Sequence, residues 1–251
     1  MQFKLLKKLV GLFGYKIISK DFIKNNRLLD NNEFISLNEI LNFLFENKNI
    51  NSLIQIGAND GLRFDYINKY IKKYLPKTVL VEPVKDHFED LKKNYKDFNN
   101  IIFENLAISV GNQIKYLYKV DKSKIDKYDE HIFGINSFDI KHLKSHGVKS
   151  SHIVKEKVQT ENISNLINKY FTSLDLLLID AEGYDGFILN DLFMNSNFRP
   201  IIISEYVHIN HDVFKKLIVL LDNNDYFYFQ LKENIICFPK EKKPIIKLFN
   251  Q

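Results

Sequence analysis

From residue 51 onward, short apolar runs of strand length alternate with stretches whose apolar residues recur at helical spacing, a rhythm that leaves few folds open. The runs occupy 53–56, 78–81, 101–103, 174–179 and 200–204. Apolar runs without polar alternation belong to strands covered on both faces, as in a mainly parallel sheet between helical layers. Helical patterns fall between them, over 66–74, 84–95, 163–171, 187–193 and 213–221; Phe88, Leu91 and Tyr95 share one face of the second. Two last β runs, 226–230 and 235–238, lie close enough to form an antiparallel hairpin at the end of the sheet. The predicted architecture is α/β, with seven mostly parallel strands, helices on both faces and that C-terminal hairpin.

This pattern divides the chain. Residues 1–50 read as a helical appendage, with Ser36 as N-cap of a helix over 37–45, residues 51–240 as one domain, and residues 241–251 as a tail. Residues 116–159 are long, polar and histidine-bearing and fit the alternation poorly. We read them as an insertion between the third and fourth core strands, an acceptor region or lid.

Composition excludes several classes. A single cysteine, Cys237, rules out an intrachain disulfide and a cysteine-based zinc cluster, and favours a reducing, cytoplasmic setting over secretion. The net charge of +5 comes almost wholly from lysine, since Arg27, Arg63 and Arg199 are the only arginines. Planar recognition of phosphates and bases favours arginine, so no nucleic-acid partner is expected. No apolar run approaches the ~18 residues that cross a bilayer. Residues 1–16 are basic and amphipathic; they either pack or fray, or make peripheral contact with an anionic membrane, and the sequence leaves both open.

The unusual polar residues all follow strand ends: Gly57-Ala58-Asn59-Asp60-Gly61, Glu82-Pro83, Asp180-Ala181-Glu182-Gly183 and Glu205-Tyr206-Val207-His208. In open α/β sheets that edge holds the ligand crevice, so four segments converge on one site. Gly57 and Gly61 let the backbone turn and approach a ligand, but no third glycine opens the following helix, which demotes a nicotinamide dinucleotide. Asp60 is a poor neighbour for a pyrophosphate and a good one for an ammonium or sulfonium cation. Glu82 sits where an acidic residue at the end of the second strand holds a ribose diol; alternatively it complements the dipole of the next helix.

The segments Ile54-Gln55-Ile56-Gly57-Ala58-Asn59-Asp60-Gly61, Val81-Glu82-Pro83, Asn105-Leu106-Ala107-Ile108-Ser109 and Ile179-Asp180-Ala181-Glu182-Gly183-Tyr184-Asp185 resemble, in order and spacing, the motifs of the FkbM family of S-adenosylmethionine-dependent methyltransferases. The resemblance implies a Rossmann-like class I methyltransferase fold, S-adenosyl-L-methionine as cofactor and O-methylation of a sugar, glycan or small natural-product hydroxyl. It also implies that Gly57, Asn59 and Gly61 border the methionine moiety, Glu82 the ribose and Leu106-Ala107 the adenine, with Asp180 and Glu182 facing the reaction centre.

Methyl transfer to a hydroxyl needs a general base, and Glu182, His208 and Asp180 are the candidates. Histidine titrates conveniently near neutrality, whereas a carboxylate needs burial to raise its pKa. A divalent cation on Asp180, Glu182 and Glu205 or His208 is permitted by the spacing but not demanded, and we expect no metal. His131, His142, His146 and His152 match no zinc-helix pattern and read as polar groups of the acceptor region. The competing functions are a Rossmann-type nucleotide-binding oxidoreductase and a non-catalytic methyltransferase-like binding module.

Overall fold

The computed structural model describes residues 36–111 and 113–241; residues 1–16, most of the expected appendage and nearly all of the expected tail lie outside the described residues. Helix α1 (Leu37–Asn47) starts at a reciprocal cap: Ser36 Oγ accepts from Glu39 N at 3.2 Å, and Glu39 Oε2 accepts from Ser36 N at 2.5 Å.

Seven strands form the main sheet: β1 (Ser52–Ile56), β2 (Lys77–Val81), β3 (Ile101–Glu104), β8 (Leu176–Ile179), β9 (Ile201–Glu205), β10 (Tyr226–Leu231) and β11 (Asn234–Pro239). Their spatial order is β10-β11-β9-β8-β1-β2-β3. Five are parallel, and β11 runs antiparallel to both β9 and β10. The order reverses at β1, which pairs with β2 on one side and β8 on the other, with Ile54 opposite Val79 and Leu177. Two strand ends part there, and the βα loops above them leave a crevice.

The runs lack polar alternation because both faces are covered. Ile54, Ile56, Val79, Val81, Leu177, Ile179 and Ile202 belong to one core with residues of α5 (Ile163–Tyr170), α6 (Asp185–Asn195) and α7 (His211–Asn223). Leu53, Leu80 and Leu178 point to the opposite face and are equally buried. Two further helices, α2 (Asn68–Tyr74) and α3 (Lys85–Asn94), follow β1 and β2. The helix expected to start at residue 66 starts later because Asp65 Oδ1 accepts from Ile67 N and Asn68 N and closes a turn first.

The insertion is more regular than its sequence suggests. Strands β4 (Ala107–Ile108) and β7 (Thr160–Glu161) pair in parallel at its base, and β5 (Lys115–Val120) and β6 (Ile153–Val158) form a six-pair antiparallel ribbon. Between the ribbon strands lie 3₁₀ turns and the short helix α4 (Ile140–Ser145). Val120, Ile132, Ile135, Leu143 and Val148 give this region a small core of its own.

Candidate active site

The loop after β1 is fastened to its neighbours by backbone alone. Gly57 N and Ala58 N both donate to Val81 O at 3.0 Å, and Asp180 N donates to Ile56 O at 3.0 Å. Gly57 has φ +79°, and a Cβ there would stand 2.0 Å from the Asp180 carbonyl oxygen. Only glycine lets the β1 and β8 loops approach this closely. Gly183 repeats the arrangement one strand further on: its φ is +90°, and a Cβ would meet His208 O at 2.8 Å. These two contacts join three of the four polar corners.

The fourth joins through a side chain. Buried Glu82 accepts from Asn59 N and Val84 N, each at 2.8 Å, one on each carboxylate oxygen. Burial raises its pKa to about 7 against the pull of those two N–H groups. Asp185, also buried, accepts from Ala181 N at 3.1 Å and from Ser204 Oγ at 3.2 Å, so it ties the start of α6 to β9. Its pKa rises to about 7, through burial and then the charge of Asp180.

These corners surround a cavity of about 460 Å³, within the usual range for small-ligand sites. Gly57, Asn59, Glu82, Leu106, Ala107, Asp180, Glu182 and His208 all line it. Asp60 and Gly61 do not. The expectation that Asp60 faces a cationic ligand is corrected: its Oδ1 accepts from Leu62 N at 2.9 Å and Arg63 N at 2.8 Å, turning the carboxylate into its own loop. Gly61 makes room for Leu91 and Tyr95, each 2.6 Å from where a Cβ would lie, so its role is packing. Leu106 and Ala107 are less a free turn than the lead into β4, held by Ala107 N donating to Gln159 O at 2.9 Å.

The charge of the wall is lopsided. Among the described residues it carries Asp65, Glu82, Asp180, Glu182, Glu205 and Glu233 against one guanidinium, Arg63, and no lysine. Little solvent reaches this crowded wall: burial raises the pKa of Asp180 to about 6, and burial with the Asp180 charge raises Glu182 to about 8 and Glu205 to about 9. A bound cation would relieve the same crowding; an anion would compound it.

Glu182, at φ +50°, holds its Oε2 2.7 Å from His142 Nε2, and burial lowers the pKa of that imidazole. Its carbonyl accepts from Ser137 Oγ at 3.2 Å, so the insertion grips this corner twice. His208 Nε2 lies 3.8 Å from Glu205 Oε1.

Several cavity residues escape a reading of the sequence. The one signal for Gln55 is that it is the only polar residue in the apolar run 53–56; its Oε1 is buried without a hydrogen-bond partner in the cavity wall. Tyr66, whose pKa burial drives up, and Asp65 follow the glycine loop without a distinguishing pattern. Glu233 comes from the β10–β11 turn, where Tyr206 N donates to its carbonyl at 2.9 Å, and nothing local marks it. His142 was a polar residue of the insertion until the fold set it against Glu182.

The family model described as the methyltransferase FkbM domain matches residues 55–228. Among solved structures, the chain is similar to a methyltransferase FkbM from Methylobacillus flagellatus KT, at 11% identity and TM-score 0.45 over 75% of this chain and 43% of that one. It is also similar to the Podospora anserina methyltransferase PaMTH1 bound to SAH, at 10% identity and TM-score 0.45 over 86% and 83%. A third is an O-methyltransferase from Bacillus cereus in complex with SAH, at 11% identity and TM-score 0.44 over 93% and 96%. The chain thus spans less than half the length of the M. flagellatus protein. No curated protein matches it. No described helix is long and apolar enough to cross a membrane.

Proposed function

Since the chain belongs to the FkbM methyltransferase family, we propose that it transfers a methyl group from S-adenosylmethionine to a hydroxyl of a sugar, glycan or small natural product. The observation that carries this reading is the acidic cavity at the β1/β8 switch point, with its six carboxyls against one guanidinium. S-adenosylmethionine, when bound, supplies an electrophilic methyl on a positively charged sulfur, and its ammonium group adds a second cation suited to such a wall. A dinucleotide brings a pyrophosphate that this wall would repel. Gln55 Oε1, buried and unpaired, is an acceptor awaiting a donor at the same place.

The residues divide the work by position. Glu82 offers its remaining lone pairs to a ribose diol, its orientation set by Asn59 N and Val84 N. Gly57 and Asn59 present backbone without obstruction, and Leu106, Ala107 and Ile108 form an apolar wall for a base. Asp180 stands between the ribose side and the acceptor side. Glu182 takes the proton of the acceptor hydroxyl. His142, at 2.7 Å, orients the carboxyl, and burial beside Asp180 raises the Glu182 pKa well above that of an ordinary carboxyl, which makes its ionised form a stronger base. On the acceptor side Phe138 and Tyr184 meet edge to face at 5.2 Å, with His131 and Asn136 nearby. Ring faces beside hydrogen-bonding groups suit a hydroxyl-rich ring.

Calorimetric titration with S-adenosylhomocysteine and with NAD, followed by a labelled-methyl transfer screen over sugar, glycan and small-molecule acceptors, tests the proposal. Binding of S-adenosylhomocysteine and label on a hydroxyl are expected. NAD binding without S-adenosylhomocysteine binding would favour a redox enzyme, and S-adenosylhomocysteine binding without transfer to any acceptor a binding module. Glu182→Gln should slow transfer by roughly 10²–10⁴-fold while leaving S-adenosylhomocysteine affinity within about threefold.

A further inference from the structure

The insertion and the β9–α7 loop bring together three imidazoles, His142 and His146 of one helical turn and the sequence-distant His208. The ring centroids of His142 and His146 are 4.8 Å apart, those of His142 and His208 4.7 Å, and those of His146 and His208 5.3 Å. One ligand atom from each lies within 4.8 Å of the other two, and Glu182, Glu205 and His208 form a second such set that shares His208. Among the described residues, no hydrogen bond links the three rings to one another.

We propose that His142, His146 and His208 bind one divalent transition-metal ion, of the zinc or cobalt class, at the acceptor end of the cavity, with Glu182 and Glu205 flanking the ion.

The local geometry supports this in three ways. His142 and His146 stand one helical turn apart at the end of α4, where His146 N donates to His142 O at 3.3 Å, so both side chains leave on one face. A pair at this spacing is a common half of a metal site; the other half must come from elsewhere, and here the loop held against Gly183 provides it. Second, Glu182 Oε2 lies 2.7 Å from His142 Nε2, the carboxylate–histidine contact that fixes ring orientation around bound metals. Third, three neutral imidazoles beside two carboxyls form a nitrogen-rich donor set that suits zinc, cobalt or nickel and offers magnesium too few oxygens. Bond lengths of about 2.0–2.1 Å to nitrogen require the rings to draw inward from their present separation, a change within reach of side-chain rotation. The ion would pin α4 to the β9–α7 loop and so hold the insertion over the cavity. This differs from the divalent-cation site on Asp180, Glu182 and Glu205 or His208 that the sequence spacing permits, and it stands independently of the identity of the cofactor.

The test uses the full chain without an affinity tag, stripped with chelator and titrated with Zn²⁺ and Co²⁺ by calorimetry and visible absorption. One equivalent of each is expected to bind in the micromolar range or tighter, Co²⁺ with the intense absorption of a low-coordinate nitrogen site. His146→Ala and His208→Ala should each weaken Zn²⁺ binding at least tenfold, whereas His131→Ala and His152→Ala should leave it unchanged. Circular dichroism confirms that each variant folds. Absence of stoichiometric binding, unaltered affinity in the triple variant H142A/H146A/H208A, or displacement of Zn²⁺ by equimolar Mg²⁺ would overturn the assignment. S-adenosylhomocysteine affinity, measured on the stripped protein, reports separately on the cofactor.

Discussion

Gly57→Ala is the sharpest test of how this fold builds its site. The added Cβ would lie 2.0 Å from the Asp180 carbonyl oxygen, where ordinary contact begins at 3.4 Å. Its φ of +79° alone costs an alanine ~1–2 kcal/mol. Relieving the collision requires the loop to leave the end of β8, straining the bonds from Gly57 N and Ala58 N to Val81 O and from Asp180 N to Ile56 O. Each is worth ~0.5–1.5 kcal/mol net, so the full cost is roughly 3–6 kcal/mol, a large share of the ~5–15 kcal/mol of a typical domain. Gly147 serves as the control, because it too has positive φ, +81°, yet nothing lies within 4 Å of its would-be Cβ. Gly147→Ala should therefore cost only the ~1–2 kcal/mol of backbone strain. Urea unfolding followed by far-ultraviolet circular dichroism measures both, and calorimetry reads S-adenosylhomocysteine affinity in whatever remains folded. If Gly57→Ala were no more destabilising than Gly147→Ala and bound S-adenosylhomocysteine normally, the argument that the β1 and β8 loops meet through this glycine would fail.

Three further outcomes follow from the same geometry. Glu82→Gln keeps one acceptor and turns an amide N–H₂ toward a backbone N–H, so S-adenosylhomocysteine affinity should fall by about 10–100-fold, read by calorimetry. Wild-type affinity would remove Glu82 from the ribose site. Because folding raises the Glu82 pKa from 4.5 to about 7, its contribution to stability is complete below about pH 4 and declines as pH rises through 7. The decline amounts to ~3 kcal/mol that Glu82→Gln should not show, and parallel stability–pH curves for the two proteins would refute it. Ser36→Ala should lower stability by about 1 kcal/mol through loss of the cap on α1, and an unchanged urea midpoint would show that the cap contributes nothing.

The part of the fold that was legible is the part built from largely apolar runs. Strands β1, β2, β3, β9, β10 and β11 lie within a residue of their expected limits; β1, β2, β9 and β11 are buried along nearly their whole length, the home such runs require, while β3 and the edge strand β10 are only partly covered. The ribbon β5–β6 was illegible for the opposite reason. Tyr116, Val154, Lys155 and Lys157 face solvent while Lys115 and Lys119 are partly covered, so no clean alternation marks the strands, and each finds its partner only across the intervening insertion. Asp60 was misplaced because a carboxylate in a glycine loop reads alike whether it faces a ligand or accepts from Leu62 N and Arg63 N.

Taken alone, the order of residues determined the sheet, its hairpin and the placing of Gly57, Glu82, Asp180 and Glu182 at strand ends, since burial and glycine geometry act over a few neighbouring positions. Only tertiary structure decided which groups meet: Glu182 with His142, His146 with His208, and Glu233 with the cavity. Such pairings depend on how distant segments pack, and no local pattern of hydrophobicity or charge encodes the distance between two side chains brought together from opposite ends of a domain.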